Sequence, residues 1–112
     1  MTGRIKPARI TAAQFQESPG VEDWRVLNDV ATTRFQTGSF ATGVALINKI
    51  GHLADKADHH PDVELRYPEV VVRLETHEIG GLSERDVALA RQISSAAREL
   101  DILAVAPTQP DG

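Results

Sequence analysis

The tightest constraint on the fold of this chain is the shortness of the links between its extended runs. Trp24 to Gln36 carries Val26, Leu27, Val30, Thr32, Thr33 and Phe35, residue types that favour a pleated surface, interrupted by the turn pair Asn28-Asp29. A second pair of runs, Val63 to Arg66 and Val70 to Thr76, is joined by Tyr67-Pro68-Glu69. A parallel crossover needs roughly a dozen residues, so neither pair can be parallel. Each pair is followed by helical periodicity. After Ser39, whose hydroxyl can open a helix, Phe40, Val44, Ile47, Ile50 or Gly51, and Ala54 recur at helical spacing, with Leu46, Leu53 and Ala57 beside them, as far as Asp58. Ser83 and Asp86 form a capping pair ahead of Val87, Ala90, Ile93, Ala97 and Leu100, which line one side of a final helix. The order ββαββα predicts an α+β fold, a four-stranded antiparallel sheet with helices packed on one face.

Alternation along Val70 to Thr76 sends Val70, Val72, Leu74 and Thr76 to the core and Val71, Arg73, Glu75 and His77 to the other side. Ahead of the first hairpin, Thr11 with Gln14 three residues on predicts a short helix over Ile10 to Glu17, ended by Ser18-Pro19-Gly20. The expected organisation is a mobile basic lead-in over 1–9, one domain over 10–103, and a fraying tail over 104–112. A length of 112 residues, 41% apolar, suits a single core. There is no cysteine, which excludes disulfides, thiolate zinc sites and cysteine nucleophiles. A net charge of -4 argues against a nucleic-acid partner. No apolar run approaches the ~20 residues of a membrane span, so a soluble, cytoplasmic protein is expected.

Chemistry concentrates in Asp58-His59-His60-Pro61 and in Thr76-His77-Glu78-Ile79-Gly80-Gly81-Leu82-Ser83-Glu84-Arg85-Asp86. Three of the four histidines lie at the ends of regular elements, where side chains can converge on a rigid frame. Imidazole titrates near neutral pH, so such a set suits either proton transfer or a metal held by His59, His77 and a carboxylate. Taken singly, each residue has a simpler explanation. Asp86 can merely cap the last helix, His77 can be a solvated strand end, and His52 is a mid-helix surface residue. Gly80-Gly81 can serve a tight turn. Asp55 and Asp58 oppose the helix dipole at a C-terminus and call for another reason to be there.

The segments Ala54 to Pro61, Val70 to Leu74 and Thr76 to Ala90, taken with Tyr67, resemble the pterin-4a-carbinolamine dehydratases in order and spacing. The likeness runs from about Trp24 to Leu100. It departs from the family pattern at Pro19-Gly20, at Thr37 and at Val63, where aromatics or a continuing helix are common. The resemblance implies an enzyme that removes water from 4a-hydroxytetrahydropterin, without metal or organic cofactor, as a homodimer or homotetramer. Its substrate would come from an aromatic amino acid hydroxylase. It further implies His59 and His77 as the acid and base, His60 as the histidine that orients the ring, and Asp86 as the carboxylate holding a histidine in one tautomer. Asp58, Thr76 and Glu78 join His60 and His77 as expected substrate contacts. Degenerate relatives of this kind act as non-catalytic binding modules, which is the alternative.

Overall fold

The computed structural model describes residues 6–105. Helix α1 (Ala12–Glu17) begins with the expected capping box: Thr11 Oγ1 accepts from Gln14 N and the Gln14 side chain accepts from Thr11 N. Strands β1 (Arg25–Leu27) and β2 (Val30–Gln36) form the first hairpin. Asn28 and Asp29 both take positive φ, 52° and 63°, which matches the right-handed twist of a two-residue hairpin. Helix α2 (Phe40–Ala57) follows from its Ser39 cap, then strands β3 (Asp62–Arg66) and β4 (Glu69–Leu74), and helix α3 (Glu84–Glu99).

The sheet is antiparallel in the order β1-β2-β4-β3, with a fifth strand, β5 (Leu103–Val105), paired to β2. Four strands were expected. The difference lies at Leu103 to Val105, where the anticipated fraying is replaced by pairing of Gln36 with Leu103 and Arg34 with Val105. β1 occupies the Val30 to Thr32 half of that edge of β2, so the second half is free to take another strand. Residues 106–112 lie outside the described residues. At the other end, Arg9, the last residue of the expected lead-in, is tied to the domain by a hydrogen bond to the Ile79 carbonyl. Ile10 N donates to Leu82 O at 2.9 Å, forming an isolated antiparallel bridge.

All helices cover one face. Ala31, Thr33 and Phe35 of β2 and Val70, Val72 and Leu74 of β4 are fully buried beneath them, as alternation predicts. Trp24 packs edge-on to Phe35, and its indole N–H donates to Ser94 on α3 at 2.9 Å, so the largest core side chain is also satisfied. On α2 the buried stripe is Gly43, Leu46, Ile50 and Ala54, whereas Phe40 and Val44, expected to face inward, are 55% and 48% exposed. Gly43 accounts for the rotation. A Cβ there would stand 2.6 Å from Leu65 Cδ1, so the helix lies on the sheet along its glycine side. Among the described residues no helix is long and apolar enough to cross a membrane.

Candidate active site

Three chain segments meet at one edge of the helical layer. The first is the C-terminus of α2. Asp58 N donates to Asp55 O and His59 N to Ala54 O, the paired bonds of a Schellman ending, with Asp58 in the left-handed region at φ 51°. This reversal turns His59 inward and His60 outward. The second is the segment after β4. That strand stops at Leu74, two residues before the expected end, because Thr76 N donates to Gly81 O at 2.7 Å and closes a loop instead. Within the loop His77–Ile79 form one 3-10 turn, and Gly80 ends it at φ 59°. The third is the start of α3.

Asp86 joins the three. Its Oδ1 lies 2.6 Å from His59 Nε2, and its Oδ2 accepts from Thr76 Oγ1 at 2.8 Å and from Ser83 N at 2.9 Å. Thr76 spends its hydroxyl hydrogen on Asp86, so Ser83 Oγ donates to Thr76 Oγ1 across 2.7 Å and in turn accepts from Arg85 N. Asp86 is fully buried and His59 is 8% exposed. A carboxylate can only accept, which places a hydrogen on His59 Nε2. Nδ1 has no protein partner among the described residues, yet it is not sealed off as an unsatisfied buried atom. It is the ring nitrogen still open to a partner from outside the described residues.

Asp58, His59, His60, Thr76, His77, Glu78 and Arg85 line a cleft of about 300 Å³. Every substrate contact expected from the sequence is in this wall. Asp86, placed among the catalytic residues on the same grounds, is not. It stands behind His59, where it orients the ring without touching the cleft. His60 is exposed and bonded through Nε2 to Asp55 Oδ1 at 3.0 Å, which supplies the reason for an acidic residue in the last turn of α2. His77 is also exposed. Glu75, its nearest carboxylate, is 4.0 Å away, beyond hydrogen-bonding reach, so among the described residues no carboxylate anchors this ring. Arg85 was not singled out from the sequence. Its guanidinium donates to Glu78 Oε1 at 3.2 Å, joining the start of α3 to the 3-10 turn. The only available signal was its place one residue before the capping aspartate.

Two larger hollows lie elsewhere. One of about 430 Å³ runs between α2 and α3, and one of about 600 Å³ spreads over the open face of the sheet. Neither brings together more than one histidine, and convergent polar groups mark a site better than volume does. Among the described residues no three His, Asp or Glu side chains are grouped so as to hold a metal ion.

The sequence pattern of the family described as Pterin 4 alpha carbinolamine dehydratase matches residues 5–96. The chain belongs to this family. A protein of Thermomicrobium roseum named "Putative pterin-4-alpha-carbinolamine dehydratase" is 40% identical over 94 residues, covering 84% of this chain and 97% of the relative. One of the same name from Nocardia farcinica is 37% identical over 98 residues, 88% of this chain and all of that protein. A solved structure, described as a transcriptional coactivator/pterin dehydratase from Brucella Melitensis, superposes with a TM-score of 0.71 at 28% identity, covering 80% of this chain and 99% of that one. The dehydratase family thus accounts for both the sheet and the histidine-bearing segments, within a match that spans almost the whole described chain.

Proposed function

We propose that this protein dehydrates 4a-hydroxytetrahydropterin to quinonoid dihydropterin by histidine acid–base catalysis. In that reaction the C4a–O bond breaks with its electron pair, the oxygen takes a proton and leaves as water, and a ring nitrogen gives up its hydrogen to complete a C=N bond. One group must deliver a proton and another must receive one. General acid–base steps of this kind contribute on the order of 10² to 10⁴ in rate. The observation that carries the reading is the pairing of His59 Nε2 with buried Asp86, which restricts proton exchange to Nδ1 at a cleft also lined by His77. His60, Asp58, Thr76 and Glu78 then hold the bicyclic ring. An aromatic amino acid hydroxylase supplies the substrate, the enzyme works in the cytoplasm as a homodimer or homotetramer, and the product returns for reduction.

The test is a dehydration assay on enzymatically generated carbinolamine. His59→Ala and His77→Ala are each expected to lower kcat by about 10² or more with the circular dichroism spectrum unchanged. Wild-type turnover in both variants would refute the mechanism. Light scattering reads the assembly, with a mass of two or four chains expected. A second reading is a binding module without catalysis. It is favoured by the coactivator description of the Brucella protein and by Leu103 and Val105, 76% and 47% exposed on the open sheet face. Failure to bind any pterin, together with a stable complex with another protein, would establish it in place of the enzyme.

A further inference from the structure

The two adjacent glycines of the His77 loop have different surroundings. Gly80 is in the left-handed region, and a Cβ there would meet nothing within 4 Å. Its requirement is conformational. Gly81 is buried and has no such φ, but a Cβ there would run into the guanidinium of Arg9, overlapping Nη1 and standing 2.9 Å from Cζ. The Arg9 guanidinium therefore lies close against this glycine. Arg9 Nη2 also donates to the carbonyl of Ile79, in the middle of the same loop. The next residue, Ile10, is bridged to Leu82 just beyond it. The chain that precedes α1 therefore holds the outer half of the loop by a guanidinium close against Gly81, a hydrogen bond to Ile79 and a backbone bridge. The inner half is held separately, through Thr76, by Asp86.

We infer that Arg9 is a positioning residue for His77. Among the described residues no hydrogen bond holds the ring of His77, so the point from which it reaches into the cleft follows the Thr76 to Gly81 backbone. That backbone is short and closed at its base by the Thr76–Gly81 bridge, and its outer carbonyl is taken up by a residue 70 positions earlier. Releasing Arg9 leaves the Ile79 carbonyl to water and removes the lid over Gly81, which allows the turn to fluctuate without unfolding the core. Small displacements of an acid or base reduce turnover more than they reduce binding, because alignment is needed most in the transition state. The positioning role deepens the dehydratase reading and depends on it only for the kinetic part of the test.

The variants are Arg9→Ala, Arg9→Lys, and Lys6→Ala as a control for general loss of positive charge. With active wild-type enzyme, Arg9→Ala is expected to lower kcat about fivefold or more with KM changed less than about twofold, and millimolar guanidinium is expected to restore part of the loss. Arg9→Lys, which keeps a donor but not the flat cation, should fall between. Lys6→Ala should match wild type. Independently of activity, amide hydrogen exchange at Ile79 to Gly81 should quicken in Arg9→Ala, and the His77 ring resonances should shift, while amides of β2 and β4 keep their protection. Unchanged exchange and unchanged His77 resonances overturn the proposal. So does an equal loss of turnover in Lys6→Ala, or a loss that only follows the fraction of unfolded protein. If the wild-type protein dehydrates no pterin, the proposed function falls, and the exchange and resonance measurements still decide whether Arg9 positions His77.

Discussion

Asp86 shows how much one carboxylate can settle. It caps α3, binds Thr76 and fixes the His59 tautomer, with all of its bonds buried. The capping task was legible in the sequence, since Ser83 and Asp86 stand at the spacing that defines it. The contact with His59 was not, because the partners are 27 residues apart and no local pattern links them. Asp86→Asn replaces one acceptor with a donor: turned toward Ser83 N the amide meets a second donor, and turned toward His59 it drives the imidazole into the opposite tautomer, with Nε2 accepting. A loss of about 2–4 kcal/mol in denaturant unfolding is expected, together with a fall in kcat of at least about tenfold. Unaltered kinetics would remove Asp86 from the site. Asp58 presents the opposite balance. Held at φ 51° where glycine is preferred, it keeps its side chain at the cleft at a cost in backbone energy. Asp58→Gly should therefore raise stability by about 0.5–1 kcal/mol and weaken pterin binding, measured by unfolding and by calorimetric titration.

At the scale of elements, turn and period were readable and orientation was not. The Asn28-Asp29 turn, the caps at Thr11, Ser39 and Ser83, and the inward set Val70, Val72 and Leu74 were all visible locally. The roll of α2 depended on Gly43 meeting Leu65, a contact between elements. Val71, assigned to the outer face, is nonetheless 7% exposed. It lies in register between Arg34 and Glu64, whose ion pairs with Glu69 and Arg73 roof it over. The hydrogen bond from Arg73, and then its charge, hold the Glu64 carboxyl below its ordinary value of 4.5. A lowered folded-state value means that the pair stabilises the protein above pH 4.5 and that this contribution is lost as the pH falls through the lowered value. Glu64→Gln should accordingly flatten the decline of stability on the acid side and leave the slope near neutrality unchanged. An acid limb identical to wild type in urea unfolding would count against the pair.

For the molecule as a whole, the cleft is an assembly of segments that share no secondary-structure element. The end of α2, the loop after β4 and the start of α3 are brought together by helices lying across one sheet, and the lining residues span positions 58 to 85. A ligand that bridges all three should stabilise the fold by mass action, by about 2.7 kcal/mol at a hundred times its Kd. A dihydropterin is expected to raise the unfolding temperature of the wild type and to raise it less in His59→Ala. No shift at saturating pterin would argue that the cleft does not hold this ring.

The sequence alone determined the antiparallel pairing, the helix caps, the family motif and, Arg85 excepted, the side chains around the cleft, because each is written in spacings of a few residues or in a contiguous block. Tertiary structure alone decided that His59 is sheltered while His60 and His77 are open, that Asp86 works from behind the wall, that β5 completes the sheet, and that Arg9 reaches the far loop. Those outcomes depend on the angle at which α2 and α3 cross the sheet and on the reversal at Asp58, and these follow from packing between residues distant in the chain.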